Sequence, residues 1–483
     1  MAKSIKKNTV LNMVKTASSI VFPIITIPYI NRILSPENIG KVDFSRSFVS
    51  YFSLIATLGL YTHAVRECAT ASDDRNKLSN TVSQLFSINV ITTVASFILL
   101  GLTLLFFREF DDYRLLIFIN SFIILFTTLG TDWLNSAMED FRYITIRTIA
   151  FQVISLLAMF LFVRTKADYP WYMIILTVSS SGANLLNIFY RRRYCTVRFT
   201  LNIEWKRHLG PIIWLFVMSL SQVIFKNVDI TMLGVMWNDY EVGIYTTAEK
   251  IVGMISNIVS SIIFVIMPRL SQYFAKNDFD SANTLLRKLL AFNLGLGLPC
   301  VVGVLFLADD ITFLVGGSEF AGAASVMRIV VFGFAASLIG GSFLGNAILI
   351  PMKQEKYYMI VCCITAVANA IGNALLIPSL GANGAAIASV ANGFVILILL
   401  LLKIDKRIKI RNLLHVFIDP LIGCAVIALI CFICKKIDHL WLRITLSIGV
   451  SAAAYFVVLK CLKNEFLDNI ARPIFNRIKG KRI

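Results

Sequence analysis

Charge is scarce in this chain of 483 residues: Asp, Glu, Lys and Arg together make up 15%, against 57% hydrophobic residues. A soluble domain carries about a quarter of its residues charged, and the mean hydropathy of +0.75 points away from that class as well. Histidine is limited to His63, His208, His415 and His439, in unrelated segments, and the nine cysteines are scattered. No metal-ligand spacing emerges from them. Cys431 and Cys434 form a C-x-x-C on an apolar stretch without His or acidic companions, where they read as small packing residues. Long polar loops are also missing. A membrane glycosyltransferase or polysaccharide polymerase is expected to carry a sizeable external loop with catalytic carboxylates. The longest external candidate, 309–327, offers only Asp309, Asp310 and Glu319, which read as the solvated side of an interfacial turn.

What is abundant is apolar sequence in windows of about 20 residues, each long enough to cross roughly 30 Å of hydrocarbon as a helix. The predicted spans are 10–33, 43–63, 81–107, 115–137, 148–163 and 170–190, then 211–236, 243–267, 286–308, 326–350, 359–377 and 383–402, and finally 413–434 and 442–460. The fold class is therefore an all-α polytopic membrane protein with about fourteen transmembrane helices. The basic connection near 191–210 and the charge run at 403–411 divide it into an N-terminal lobe (1–195), a basic linker (196–210), a C-terminal lobe (211–402) and two extra helices with a basic tail (403–483). The first apolar stretch is too long for a cleavable signal peptide and lacks a small-x-small site behind its basic start, so it reads as the first span.

The net charge of +18 is mostly a topology signal. Lys3, Lys6, Lys7, Arg66, Arg75, Lys77, Arg191 to Arg193, Lys403 to Arg411 and the tail all fall on one side if both termini are cytoplasmic. That pattern favours anionic headgroups as partners and argues against nucleic acid.

Some basic residues escape that explanation. Lys15, Arg46, Lys226, Lys250 and Arg328 lie inside predicted spans, where a cation near the midplane costs about 3 kcal/mol even on the lenient insertion scale. A polar cavity that accepts an anionic cargo would account for them. Lys226 is nearest the middle of its span. Asp229 follows it at i+3, so the pair either cancels its own charge or leaves the lysine for the cavity. Glu249 and Lys250 are adjacent and diverge around the helix axis. Arg46 and Lys15 are nearer their span ends, within reach of the interface, and Arg328 reads as an interfacial anchor. Asp229, Glu249 and Asp132 are candidates for proton or sodium coupling, and Asp132 equally reads as a cap.

A faint internal echo sets Glu37-Asn38-Ile39-Gly40 against Tyr240-Glu241-Val242-Gly243, about 203 residues later. Parallel halves of this kind place a substrate site between them in many transporters. Pro23 and Pro28 break the first span, as either a static bend or a moving gate.

The stretch Phe22-Pro-Ile-Ile-Thr-Ile-Pro-Tyr29, Arg32-Ile-Leu34 and Glu37-Asn-Ile-Gly40 resembles the first hairpin of Wzx-type flippases of lipid-linked oligosaccharides, in the polysaccharide branch of the MOP exporter superfamily. Leu58 to Glu67, Asp229 to Gly234, Val242 to Tyr245, Pro268-Arg269 and Gly381 to Ala386 extend the resemblance to about residue 402. Ala64 departs from it, standing where relatives often have Gly. The resemblance implies two six-helix lobes around a cationic cavity, alternating access and transfer of an undecaprenyl-diphosphate-linked glycan to the outer leaflet of a bacterial cytoplasmic membrane. It also implies a cationic set of Lys15, Arg46, Arg66, Lys226, Lys250 and Arg269. No cofactor or enzymatic activity is expected. A glycan polymerase or glycosyltransferases are expected neighbours, and a monomer suffices because the paired halves enclose one cavity. A peptidoglycan-precursor flippase and a cation-coupled multidrug exporter are the rival readings.

Overall fold

The computed structural model describes residues 18, 21–410, 413–464 and 467. Among them there is no β-strand, and eleven helices are long and apolar enough to cross a membrane. A twelfth is added if Asp239–Ile263 and Val265–Ala275, bent by 41°, form one span. The chain is a multi-pass membrane protein. Two features separate this count from the expected fourteen. The predicted first span begins outside the described residues and is represented by the shorter helix α1, Val21–Ile33. The 47-residue helix α14, Glu355–Leu401, contains two predicted spans, 359–377 and 383–402, joined at Gly381 (φ 54°, ψ −131°). A Cβ on Gly372 would lie 3.1 Å from the Cβ of Ala388, and one on Gly384 would lie 2.4 Å from the Leu376 carbonyl. Residues before Gly381 therefore lie against residues after it, and the chain doubles back.

Two compact units divide the chain, Met1–Gly243 and Ile244–Ile483. In the first, α2 (Pro36–Thr57) starts with Pro36 in its first turn, and the Ser35 hydroxyl accepts from the Asn38 amide. Leu58 and Gly59, both at positive φ, turn the chain into α3 (Leu60–Thr70). Asp74 caps α4 (Arg75–Phe106). There follow α5 (Arg114–Gly130), the short α6 (Asp132–Ala137) and α7 (Phe141–Phe162). A continuous helical stretch then runs from α8 (Tyr169–Thr177) through a widened turn at 178–182 into α9 (Asn184–Tyr190). The helix α10 (Trp205–Met236) packs on α2 and α3. Leu60, Ala64, Leu78, Leu85, Leu134 and Ile212 form the core where α3, α4, α6 and α10 meet.

The unit boundary falls in the first turn of α11 (Asp239–Ala275). The second unit continues with α12 (Phe279–Gly316), capped by Asp278, and α13 (Ala323–Ile339), which widens over 340–349 before α14. Its core gathers Leu286, Leu290, Phe343, Ile348 and Leu400. The final helices, α15 (Leu413–Cys434) and α16 (Leu440–Cys461), are fastened to α12. The Tyr455 hydroxyl donates to the Gly295 carbonyl at 2.7 Å, and Arg443 Nε donates to Asp310 Oδ2 at 2.9 Å. Asp310 is thus not on a solvated external turn. α12 runs two turns past its predicted end, and Asp310 is buried against Arg443 while Asp309 pairs with Arg328 at 2.5 Å. Cys431 and Cys434 are buried free thiols, in keeping with a packing role.

Candidate functional site

The seam between α2 and α10 is made by hydroxyl and small residues. The Ser47 hydroxyl lies 2.8 Å from that of Thr231 and 3.1 Å from the Asn227 carbonyl, and the Tyr51 hydroxyl lies 3.2 Å from Thr231. One turn further on, a Cβ on Gly234 would meet the Phe44 ring at 2.3 Å, so only glycine admits this approach. Arg46 and Lys226 are the chain neighbours of Ser47 and Asn227, so the seam brings these two predicted cations to one level on adjacent helices.

Their electrostatic surroundings differ. Arg46 is half-exposed and lies 3.7 Å from the buried carboxylate of Asp43, a partner on its own helix that the sequence reading did not single out. Lys226 is exposed and makes no ion pair with Asp229 among the described residues; Asp229 is buried and engaged elsewhere. The expected alternative of a self-cancelling pair is therefore not how these side chains are arranged. Arg66, past the middle of α3, is exposed. In the second unit, Lys250 and Glu249 are both half-buried and both engaged, and Arg269 is exposed. Lys15 lies outside the described residues.

Asp132 belongs to a different network. It opens α6 and receives Arg147 of α7 at 2.5 Å, and the Asn187 amide of α9 at 3.4 Å. The same guanidinium donates to Asn187 Oδ1. Arg147 is buried, with a side chain 5% exposed, whereas that of Asp132 is 28% exposed. The network is extended by Tyr143, which stacks on Tyr190 with ring centres 3.6 Å apart, and by the Tyr190 and Tyr194 hydroxyls, which both donate to Asp140 at 2.6 Å. The Tyr194 hydroxyl, beyond the last turn of its span, is pushed up in pKa by burial and by its bond to Asp140. Trp133 Nε1, Asn135 Oδ1 and Arg147 Nε are buried in this region without hydrogen-bond partners. Arg147 falls at the edge of the predicted span 148–163, which is why its burial escaped the sequence reading.

A second unforeseen meeting joins His63 of α3 to His208 of α10, with ring nitrogens 3.0 Å apart and both residues buried. Among the described residues, no three His, Cys, Asp or Glu side chains are placed to hold a metal ion.

Comparison with known proteins places this geometry in context. The family model described as polysaccharide biosynthesis protein matches residues 5–274, and a second, MatE, matches residues 215–375. The chain is 23% identical over 410 residues to a putative O-antigen transporter of Shigella dysenteriae, covering 83% of this chain and 100% of that protein. It is 24% identical over 284 residues to a putative O-antigen transporter of Escherichia coli strain K12, covering 57% of this chain and 66% of that protein. Among solved structures, the lipid II flippase MurJ in an inward closed conformation matches with a TM-score of 0.71 at 16% identity, over 94% of this chain and 99% of that one. An inward-facing multidrug resistance MATE family transporter matches with a TM-score of 0.62 at 14% identity, over 89% of this chain and 96% of that one. At such identities the structural matches establish the fold.

Proposed function

This chain belongs to the polysaccharide biosynthesis protein family, and from that premise we propose that it moves a lipid-linked glycan across the membrane as a flippase, without enzymatic chemistry. The relatives named as O-antigen transporters support the class of cargo. In the finer reading, the cargo is an undecaprenyl-diphosphate-linked oligosaccharide carried from the cytoplasmic to the outer leaflet by alternating access. Its diphosphate would meet a cationic set drawn from Lys15, Arg46, Arg66, Lys226, Lys250 and Arg269. A diphosphate leaving water needs several charged donors, which Arg supplies as forks and Lys as point charges.

The observation that carries this reading is Lys226: a lysine well inside an apolar helix, exposed, not ion-paired with Asp229, and level with Arg46 across the α2–α10 seam. A lysine serving only to balance Asp229 would sit against it. Energy is taken from an ion gradient or the membrane potential, with the protein in the cytoplasmic membrane and both termini inside. The test is export of surface glycan in cells. Lys226→Ala, Lys250→Ala and Arg46→Ala are each expected to reduce it at normal protein abundance, and wild-type export from all three overturns the cationic site. Reconstituted protein offered lipid-linked repeat units, a lipid-linked peptidoglycan precursor and a cationic drug separates this reading from its two rivals.

A further inference from the structure

The histidine pair can be assigned proton by proton. Gln84 of α4 accepts the backbone N–H of Glu204 on its Oε1 at 3.0 Å, and its amide group donates to the Glu204 carboxylate at 3.2 Å. A backbone N–H only donates, so this bond fixes which end of Gln84 is the oxygen. The Glu204 carboxylate lies just before α10 and is held below the usual range by the bonds from Gln84 and Arg207, which keeps it an acceptor. His208 Nε2 lies 3.3 Å from the same Gln84 Oε1 and must therefore carry its proton there. A neutral His208 then presents Nδ1 as an acceptor, and His63, 3.0 Å away, must donate from Nε2. One basic nitrogen of the pair remains for another proton, Nδ1 of His63.

We propose that the buried His63–His208 pair is a binding site for a single proton, taken up at His63 Nδ1, and that this proton couples an ion gradient to movement of the cargo. The proton site stands on the hydrogen-bond geometry alone; its role in coupling rests on the flippase reading. The first proton leaves the Nε2–H to Nδ1 bond intact and makes it charge-assisted, tightening the hold of α10 on α3. A second proton would have to enter on His208 Nδ1, setting N–H against N–H and cation against cation, and would break the junction.

The charges around His63 are of both signs, so a proton there enters an existing balance of ion pairs. On α3, Glu67 lies one turn beyond His63, and the exposed Arg66 stands beside it. From α10, Arg207 reaches Glu67 at 2.5 Å and Glu204 at 3.4 Å. On α4 the group in contact is the neutral Gln84, and on α6 Asp132 is taken up by Arg147. A protonated His63 therefore competes with Arg207 for Glu67, so filling the site redistributes the ion pairs that join α3 to α10.

With four histidines in the chain, the imidazole nitrogens of full-length protein labelled with 15N-histidine can be followed through a pH titration, the exposed His439 serving as an internal reference. The expected result is a His208 fixed with its proton on Nε2 while His63 alone gains one at Nδ1. Both rings titrating together, or His63 resting with its proton on Nδ1, overturns the site. Coupling is read in proteoliposomes carrying a fluorescent undecaprenyl-diphosphate-linked saccharide, with and without a pH gradient. His63→Gln keeps a donor toward His208 but cannot take the proton. It is expected to make the two rates equal where wild type is faster with the gradient. A His63→Gln protein that still responds like wild type overturns the coupling. If wild type moves no lipid under either condition, the flippase reading fails, and the titration still decides the proton site.

Discussion

The carbonyl oxygen of Asp239 lies so close to Gly40 that a Cβ there would come within 1.8 Å of it. The reverse contact is nearly identical: a Cβ on Gly243 would come within 2.0 Å of the Pro36 carbonyl. Each glycine meets the residue four places before the other, so the faint sequence echo of Glu37 to Gly40 and Tyr240 to Gly243 is a reciprocal backbone contact between the starts of α2 and α11. The Tyr113 hydroxyl secures it by donating to Asp239 Oδ1 at 2.6 Å.

A methyl group at either glycine has nowhere to go but into main chain. Gly40→Ala and Gly243→Ala are each expected to destabilise the protein by roughly 1–3 kcal/mol, the usual cost of overpacking. Because both residues share one contact, the double variant should lose less than the sum of the singles. Thermal unfolding in detergent, followed by size-exclusion fluorescence, measures both effects.

Asp132 and Arg147 form a pair whose arginine is buried. Asp132→Asn strands that guanidinium and is expected to cost a few kcal/mol, toward the ~3–5 kcal/mol typical of breaking a buried pair. Replacing both residues with apolar ones should recover part of the loss. Abundance and melting temperature are the readouts, and an Asp132→Asn protein with normal melting but lost export would assign Asp132 to ion coupling instead.

Asp405, in the segment between α14 and α15, is held at a pKa of about 2 by its bonds from the Arg407 side chain and backbone. A depressed carboxylate contributes stability that is present above its unfolded value of about 3.9 and lost as pH falls through its folded value. The Arg407 guanidinium lies over the Phe279 ring at 4.2 Å, and Asn283 bonds the Arg407 carbonyl and the Lys409 amide. Loosening Asp405 therefore loosens the segment from α12. Hydrogen-exchange protection in 403–410, taken relative to the intrinsic rate at each pH, is expected to persist down to about pH 4 and to fall toward pH 2, and Asp405→Asn should show the weaker protection at neutral pH.

For Lys226 the decisive contrast is with charge retained and charge removed. Lys226→Arg is expected to keep most export and Lys226→Met to lose it, with unchanged melting, because this side chain is exposed and makes no ion pair among the described residues. A matched drop in melting and export for Lys226→Met would mark the residue as structural.

Much of the fold was readable because hydropathy and length act locally. Apolar windows mark the helices, the break between the predicted spans 359–377 and 383–402 marks the reversal in α14, and the echo marks a real contact. The site was readable only in part. Asp43 was within reach as the i−3 neighbour of Arg46, yet its burial depends on the helices around it. Arg147 meets Asp132 and Asn187 across intervals of 15 and 40 residues, and His63 meets His208 across 145. Such pairs are set by packing between helices, and a single sequence carries no periodicity that announces them. The same reason hid Asp310, whose partner Arg443 arrives on a helix that the sequence marks only as an extra span.

The turn at Gly381 bears on how the chain is made. Two apolar helices joined by one glycine leave no hydrophilic stretch between them for a ribosome-bound insertion machinery to hold outside the lipid while the second emerges. They are expected to enter as one hairpin. A protease site or reporter fused at that corner would disturb biogenesis before it could report orientation, so mapping the topology of this region belongs at the segment around Lys353 or beyond Leu402.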